Sequence, residues 1–288
     1  MARVSTTADG APASGTTPAA GGRQRARKAR GGAWLRGLIG VIVFLLLAEA
    51  AGRLGIISRS VLPLTSTVLA RTASLAGDTR FLSDLGATVE AWAIGLAATV
   101  AVGVPLGVLL GSVPGVRVAT RAVVEFLRPI PSVALILLVS LLLGPGQLMA
   151  VVLIIYGAIW PVLYNTIAGL DDVDPVAKET HRAFGFSRLD TVWRVSLPSA
   201  APFIATGIRL ASAVALILDI ATGYVTGRIN GPGIGAFISD AASGSANTTL
   251  ILAATIWAGI LGLVLDLLLV WAERRLLRWH HARLGEIE

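Results

Sequence analysis

An all-α, polytopic membrane protein of about six transmembrane helices is the fold class this sequence predicts, and three observations carry the prediction. The mean hydropathy is +0.76, and 55% of the residues are hydrophobic against 14% charged, more apolar surface than one water-soluble core could enclose. The apolar residues gather at about 34–56, 85–111, 121–143, 147–169, 200–226 and 250–272, each near the roughly 20 residues that a helix needs to cross about 30 Å of hydrocarbon. The basic residues fall unevenly between these stretches. With the N-terminus inside, the inner segments hold eighteen of the 24 Lys and Arg residues, an asymmetry that places both termini and the segment 171–198 in the cytoplasm.

Residues 1–33 are rich in Ala, Gly, Ser and Thr and end in "RQRARKARGG". Such a segment has too little apolar surface to offset its ordering entropy and reads as a disordered basic cytoplasmic tail. The next unit, 34–84, comprises a first span and an outer loop. "AEA" at Ala48–Ala50 resembles a cleavage site, but the leader is long and the apolar run reaches a full span, so a retained helix is expected. Val68, Leu69, Thr72 and Leu75 repeat at helical spacing within the loop and predict a short surface helix. Asp84 is expected to cap the second span.

Residues 85–272 form the predicted core of five spans. Pro105 within the second, and Pro129 and Pro131 at the head of the third, predict kinks. "GPGQ" at 144–147 is a tight turn joining spans three and four, and "GRINGPGIGAF" at 227–237 is a Gly-rich outer loop. Gly95, Ala98, Gly103, Gly107 and Gly111 let helix backbones approach closely. A basic cytoplasmic tail, 273–288, closes the chain.

The polar segment "KETHRAFGFSRLDTVWRVSLPSAAP" at 178–202 interrupts this apolar core. Asp174 and Pro175 are an N-cap and first-turn pair. Val176, Thr180, Ala183 and Phe184 share one face of the helix they open, with Lys178, Glu179 and Arg182 on the other and Glu179 spaced to pair with Arg182. Gly185 ends it in the left-handed conformation. Ser187 with Asp190 starts a second helix, whose apolar residues are Leu189, Val192, Trp193 and Leu197; Pro198 and Pro202 are expected to close it and open the next span. Two short amphipathic helices around a glycine are expected, either lying in the lipid headgroups or docking on a partner.

The stretch "KETHRAFGFSRLDTVWRVSLPSAAPFIATGIRLA" resembles the EAA loop of ABC-importer permeases, with Glu179, Gly185, Leu197 and Pro198 matching and Thr180 and His181 in place of two alanines. "LRPIPSVALI", "GPGQ", "WPVLYNTIAGLDDVDP" and "LDLLLVWAERRLLRW" are similar, in order and spacing, to permeases of the nitrate, sulfonate, taurine and bicarbonate importers, over about residues 60–280. The resemblance implies the type I importer permease fold, a bacterial inner membrane location and a pathway for a small solute. It also implies three partners: an ABC ATPase, an extracytoplasmic substrate-binding protein and a second permease copy. The ATPase-coupling loop would then comprise Glu179, Thr180, His181, Ala183, Phe184, Gly185, Leu197 and Pro198.

The residues limit what this chain does itself. A Walker A loop needs Lys followed by Ser or Thr, and the two lysines precede Ala29 and Glu179, so ATP hydrolysis falls to a partner. The net charge of +7 is distributed by topology, so no nucleic acid partner is expected. With three histidines, no cysteine, no metal-ligand spacing and no nucleophile motif, neither an enzyme, a metal nor a cofactor is expected. Arg209 and Asp266 lie at matched depth, on the order of 10 Å from the inner boundary, and are expected to form a structural ion pair between the fifth and sixth spans. Glu90 and Asp219 sit near the outer ends of their spans. With Glu49 and Asp266 they would be the proton carriers of the rival class, a secondary transporter or channel.

Overall fold

The computed structural model describes residues 21–277 except 57, 59, 60, 145, 245 and 246. The chain divides into two units, Met1–Ile57 and Ser58–Glu288.

In the first unit α1 runs Gly21–Arg53. The basic half of the predicted disordered tail, from residue 21 onward, is therefore helical, while 1–20 lies outside the described residues. Arg, Lys, Gln and Ala are strong helix formers, and extending a nucleated helix costs little per residue. Leu38, Phe44 and Leu47 are exposed along α1.

The second unit opens with α2 (Thr65–Leu75), the predicted surface helix. It buries Val68, Thr72 and Leu75 and leaves Leu69 exposed. Among the described residues four helical segments are long and apolar enough to cross a membrane: Thr79–Ser112 (α3), Gln147–Asp171 (α6), Arg188–Ile229, which contains α9 (Leu197–Thr226), and Thr248–Leu276 (α11). The predicted third span is instead a bent pair, α4 (Pro114–Leu127) and Ser132–Leu143, which ends in α5 (Leu135–Leu143) and turns by 66°. Pro129 and Pro131 account for the break, since each lacks a backbone donor. At the break the Leu127 carbonyl accepts from the Ile130 N–H at 3.2 Å and from the Tyr156 hydroxyl at 2.8 Å.

α6 is the centre of this unit. It lies parallel to α3 in a fixed register: a Cβ at Gly95, Gly103, Gly107 or Gly111 would approach Ile154, Val162, Thr166 and Leu170 at 2.7, 3.0, 2.6 and 2.7 Å. Small residues thus bring the two backbones together. Against α9, α6 runs antiparallel, with Gly157 facing Leu218 and Gly169 facing Phe203 and Ala200. Trp92 Nε1 donates to the Ser212 carbonyl at 3.2 Å and bridges α3 to α9. α11 packs on α2 through Trp257, which donates to the Thr72 carbonyl at 2.9 Å. Phe81 meets Phe237 edge-on with centroids 5.1 Å apart.

These directions put the starts of α3, α6 and α11 at one end, together with α10 (Ile234–Gly244). The other end holds the close of α3, α6 and α11 and the polar segment between α6 and α9. α3 begins earlier than predicted, because Asp78 is its cap and accepts from the backbone N–H groups of Arg80 and Phe81 at 3.0 and 3.2 Å. Asp84 is therefore not a cap but a buried residue within α3.

Candidate functional site

The polar segment forms an elbow joining α6 to α9. Asp174 caps α7 (Pro175–Ala183) by accepting from Val176 N–H at 2.8 Å. Gly185 then turns the chain at φ +85°, and its N–H reaches the Arg182 carbonyl at 2.9 Å. A Cβ there would meet nothing within 4 Å, so the glycine is required by backbone conformation and not by space. Ser187 Oγ accepts from Asp190 N–H at 3.1 Å and donates to Asp190 Oδ2 at 2.5 Å. That reciprocal cap starts α8 (Arg188–Thr191).

The second elbow helix does not end at Pro198. α8 passes through a π-helical turn, Val192–Ser196, directly into α9, where Pro198 occupies the first turn. The Leu197 N–H reaches five residues back to the Val192 carbonyl, and the wide turn lets the helix continue through the missing proline donor. Leu197 and Pro198 thus make a rigid joint with the span, instead of the expected closing pair.

Two contacts hold the elbow's base. Lys178, expected on an outer charged face, donates to the Leu170 carbonyl at 2.9 Å and satisfies the C-terminus of α6. Arg117 at the start of α4 grips Asp171 with two bonds of 3.0 Å. Among the described residues Glu179 and Arg182 form no ion pair.

His181 supplies a third contact, between α7 and α8. Its Nδ1 lies 3.1 Å from Thr191 Oγ1, and its ring stacks on Phe186 with centroids 4.1 Å apart. The Thr191 hydroxyl already donates to the Ser187 carbonyl at 2.9 Å, so Nδ1 must be the donor to Thr191. Thr180, Ala183 and Phe184 are exposed. Val176, Phe184, Leu189 and Trp193 keep 65%, 78%, 68% and 62% of their surface, far more apolar exposure than a free surface segment needs.

Two polar constellations lie elsewhere. Arg209 on α9 and Asp266 on α11 meet in a bidentate pair, Nε to Oδ1 at 3.0 Å and Nη2 to Oδ2 at 3.1 Å. At the opposite end from the elbow, Arg228 makes two bonds to Asp84, at 3.2 and 2.8 Å, and also bonds Asp240. Asp240 in turn holds Arg80 at 2.8 Å. Asp84 accepts from Gly233 N–H at 3.1 Å, and Thr88 Oγ1 from Ile234 N–H at 3.0 Å. This clasp fastens the segment predicted as an outer loop, which turns back as α10 and buries Ile234, Ala236 and Phe237. Its signal was present in the sequence: Asp84 and Thr88 share a helix face, and Arg228 lies at the same membrane boundary. Glu90 on α3 and Asp219 on α9 line one cavity of about 290 Å³ nearby.

Residues 103–278 match the family described as "Binding-protein-dependent transport system inner membrane component". The chain is 30% identical over 240 residues to the taurine transport system permease protein TauC of Escherichia coli (strain K12), covering 82% of this chain and 84% of that one. It is 29% identical over 254 residues to the putative aliphatic sulfonates transport permease protein SsuC of Bacillus subtilis (strain 168), covering 88% and 90%. Its fold is like that of a chain of the MetNI methionine ABC transporter in inward-facing conformations, with TM-score 0.56, 20% identity and coverage of 68% and 94%. A bacterial ABC transporter involved in the import of the acidic polysaccharide alginate gives TM-score 0.57 at 17% identity, covering 88% and 99%. The family match takes in the close of α3, the whole elbow and the Arg209–Asp266 pair, and on that extent this chain belongs to the binding-protein-dependent transport system inner membrane components.

Proposed function

We infer that this chain is the permease subunit of an ABC importer and that its elbow is the handle on which a separate ATPase acts. The observation that supports this most is the mechanical continuity of the elbow. α7 is capped, tied to α6 through Lys178 and to α8 through His181, and α8 runs without a break into α9. A push on the exposed apolar face of Val176 and Phe184 therefore reaches both helices of the central pair. With no Walker A lysine the chain itself cannot supply the ATP chemistry, so the push comes from a partner's nucleotide cycle.

A second copy of the chain completes the pathway in this reading. The side chains of the Arg209–Asp266 pair retain 40% and 45% of their surface within their spans, and charged groups are not left facing lipid tails. Such a pair faces either another subunit or a water-lined path. The basic asymmetry puts the elbow and both termini in the cytoplasm, and an extracytoplasmic binding protein delivers solute at the opposite end. Nitrate, sulfonates, taurine or a related small organic compound are the solutes that the relatives' names suggest.

The test is uptake by vesicles carrying the complete importer. ATP-driven accumulation should persist when the proton gradient is collapsed. Accumulation that follows the gradient and ignores ATP would establish the rival secondary transporter.

The pair itself is proposed to tie α9 to α11 without touching solute. Arg209→Asp and Asp266→Arg should each lower the yield of folded protein severalfold, and the double exchange should restore most of it, because a lone charge in a span costs several kcal/mol, of order 3. Two independent defects that the exchange leaves uncorrected would argue against a tie.

A further inference from the structure

We propose that the cavity at the outer end of the permease core binds a small organic solute through a cationic nitrogen. The proposal rests on the importer reading for its biological sense, but its evidence is the cavity's own chemistry.

The cavity, about 290 Å³, is walled by α3, the start of α6, the late part of α9 and the segment leading into α10. That volume suits a solute at the small end of ligand size. Three of these walls contribute polar side chains: Glu90 from α3, Gln147 from α6 and Asp219 from α9. The fourth is backbone. Gly223 and Gly235 face each other so closely that a Cβ on Gly235 would lie 2.1 Å from the Ile220 carbonyl oxygen and 2.7 Å from Tyr224 N. Backbone therefore shapes this wall, and no side chain from these glycines fills the space.

The sign of the ligand follows from counting what can meet it. Among the described residues no Lys or Arg lines the cavity. The nearest cation in the adjoining clasp, Arg228, is bonded to both Asp84 and Asp240. At the N-terminus of α10, which could otherwise hold an anion, the first two N–H groups are taken: Gly233 N–H donates to Asp84 and Ile234 N–H to Thr88. The start of α6 beside Gln147 offers about half a positive charge, and it faces the acidic side chains of Glu90 and Asp219. An anion entering here would find repulsion and no free charged donor. An ammonium group would find two acceptors and, in Gln147, a carbonyl as well. The inference separates this chain from any importer of a simple anion such as nitrate or an alkyl sulfonate, while a zwitterion with an ammonium group remains compatible.

Saturable binding to the full chain in zwitterionic nanodiscs tests this, read as thermal stabilisation at constant ionic strength with choline and methanesulfonate as probes. Choline should stabilise the wild type and methanesulfonate should not. Asp219→Asn and Glu90→Gln, both close in shape to the originals, should each weaken choline binding about tenfold, as loss of one charged partner does. Methanesulfonate binding as tightly as choline, no saturable choline effect, or choline binding unchanged in both variants would each overturn the proposal. If Asp219→Asn fails to fold, the exposed position Glu90 still decides. ATP-driven uptake by the assembled importer is a separate readout: its absence would sink the importer reading and leave the cavity result standing.

Discussion

Gly185→Val is expected to abolish ATP-coupled uptake while membrane insertion and helix content stay normal. The residue sits at φ +85° between α7 and α8. An L-residue in that region costs roughly 1–2 kcal/mol, and a β-branched one is an outlier there. A Cβ at Gly185 meets nothing within 4 Å, so the substitution acts first through the backbone conformation that valine adopts at a cost. The chain relieves the strain by changing the angle at which α7 leaves α8. That reorientation breaks the short contacts that set it, the Gly185 N–H to Arg182 carbonyl bond of 2.9 Å and the His181 to Thr191 bond of 3.1 Å. These contacts lie in the elbow, before α9 begins at Leu197, so the packing of α3, α6, α9 and α11 is unaffected. Gly185→Asn is the control, since Asn adopts the left-handed conformation at lower cost, and it should keep a measurable part of the activity. Uptake and ATPase activity of the assembled complex are measured together: Gly185→Val should leave ATP hydrolysis without accumulation. Wild-type uptake by that variant would remove the elbow's assigned role.

Much of this was legible because it is local. The caps at Asp174 and Ser187, the stop at Gly185, the short helix around Val68 and Thr72 and the turn at "GPGQ" are each determined within a few residues, where side-chain hydrogen bonding and backbone preference decide. The approach of α3 to α6 could be anticipated from small residues, although their partners on α6 could not. The Arg209–Asp266 contact followed from depth alone, since opposite charges in a membrane seek each other. Asp84 was misjudged because a carboxylate near a predicted helix start is usually a cap. Its actual partner, Arg228, is 144 residues away. The continuity of α8 with α9 was missed because Pro198 normally interrupts a helix, and a π turn that accommodates it leaves no simple mark in sequence. In the tail, composition argued for disorder, but an adjoining helix extends through residues of high helical propensity.

The Asp84 error leads to the second large effect. Asp84→Ala should destabilise the outer end of the core by about 2–3 kcal/mol. Asp84 keeps only 2% of its side-chain surface and holds both the Arg228 guanidinium and the Gly233 N–H. Removing one partner of a fully buried pair costs ~3–5 kcal/mol. Arg228 retains 34% exposure and keeps Asp240, so water and the second carboxylate recover part of that loss. Asp84→Asn should cost less, because an amide oxygen can still accept from Gly233. If the clasp acts as one unit, Arg228→Met in the Asp84→Ala background should add only the loss of the Arg228–Asp240 contact and so cost less than it does in the wild type, since the bidentate contact is already gone. The measurements are the thermal midpoint of the solubilised protein and amide exchange over residues 231–241. Faster exchange confined to that segment would mean that α10 is fastened from α3. Unchanged exchange would mean that apolar burial of Ile234, Ala236 and Phe237 holds α10 in place without the clasp, and that Asp84 and Arg228 serve only to neutralise each other. The first outcome has a further consequence for transport, because the wall of the acidic cavity is made by the same segment. Its backbone at Gly233 and Gly235 would then be held in place by a charge pair that itself takes no part in binding solute.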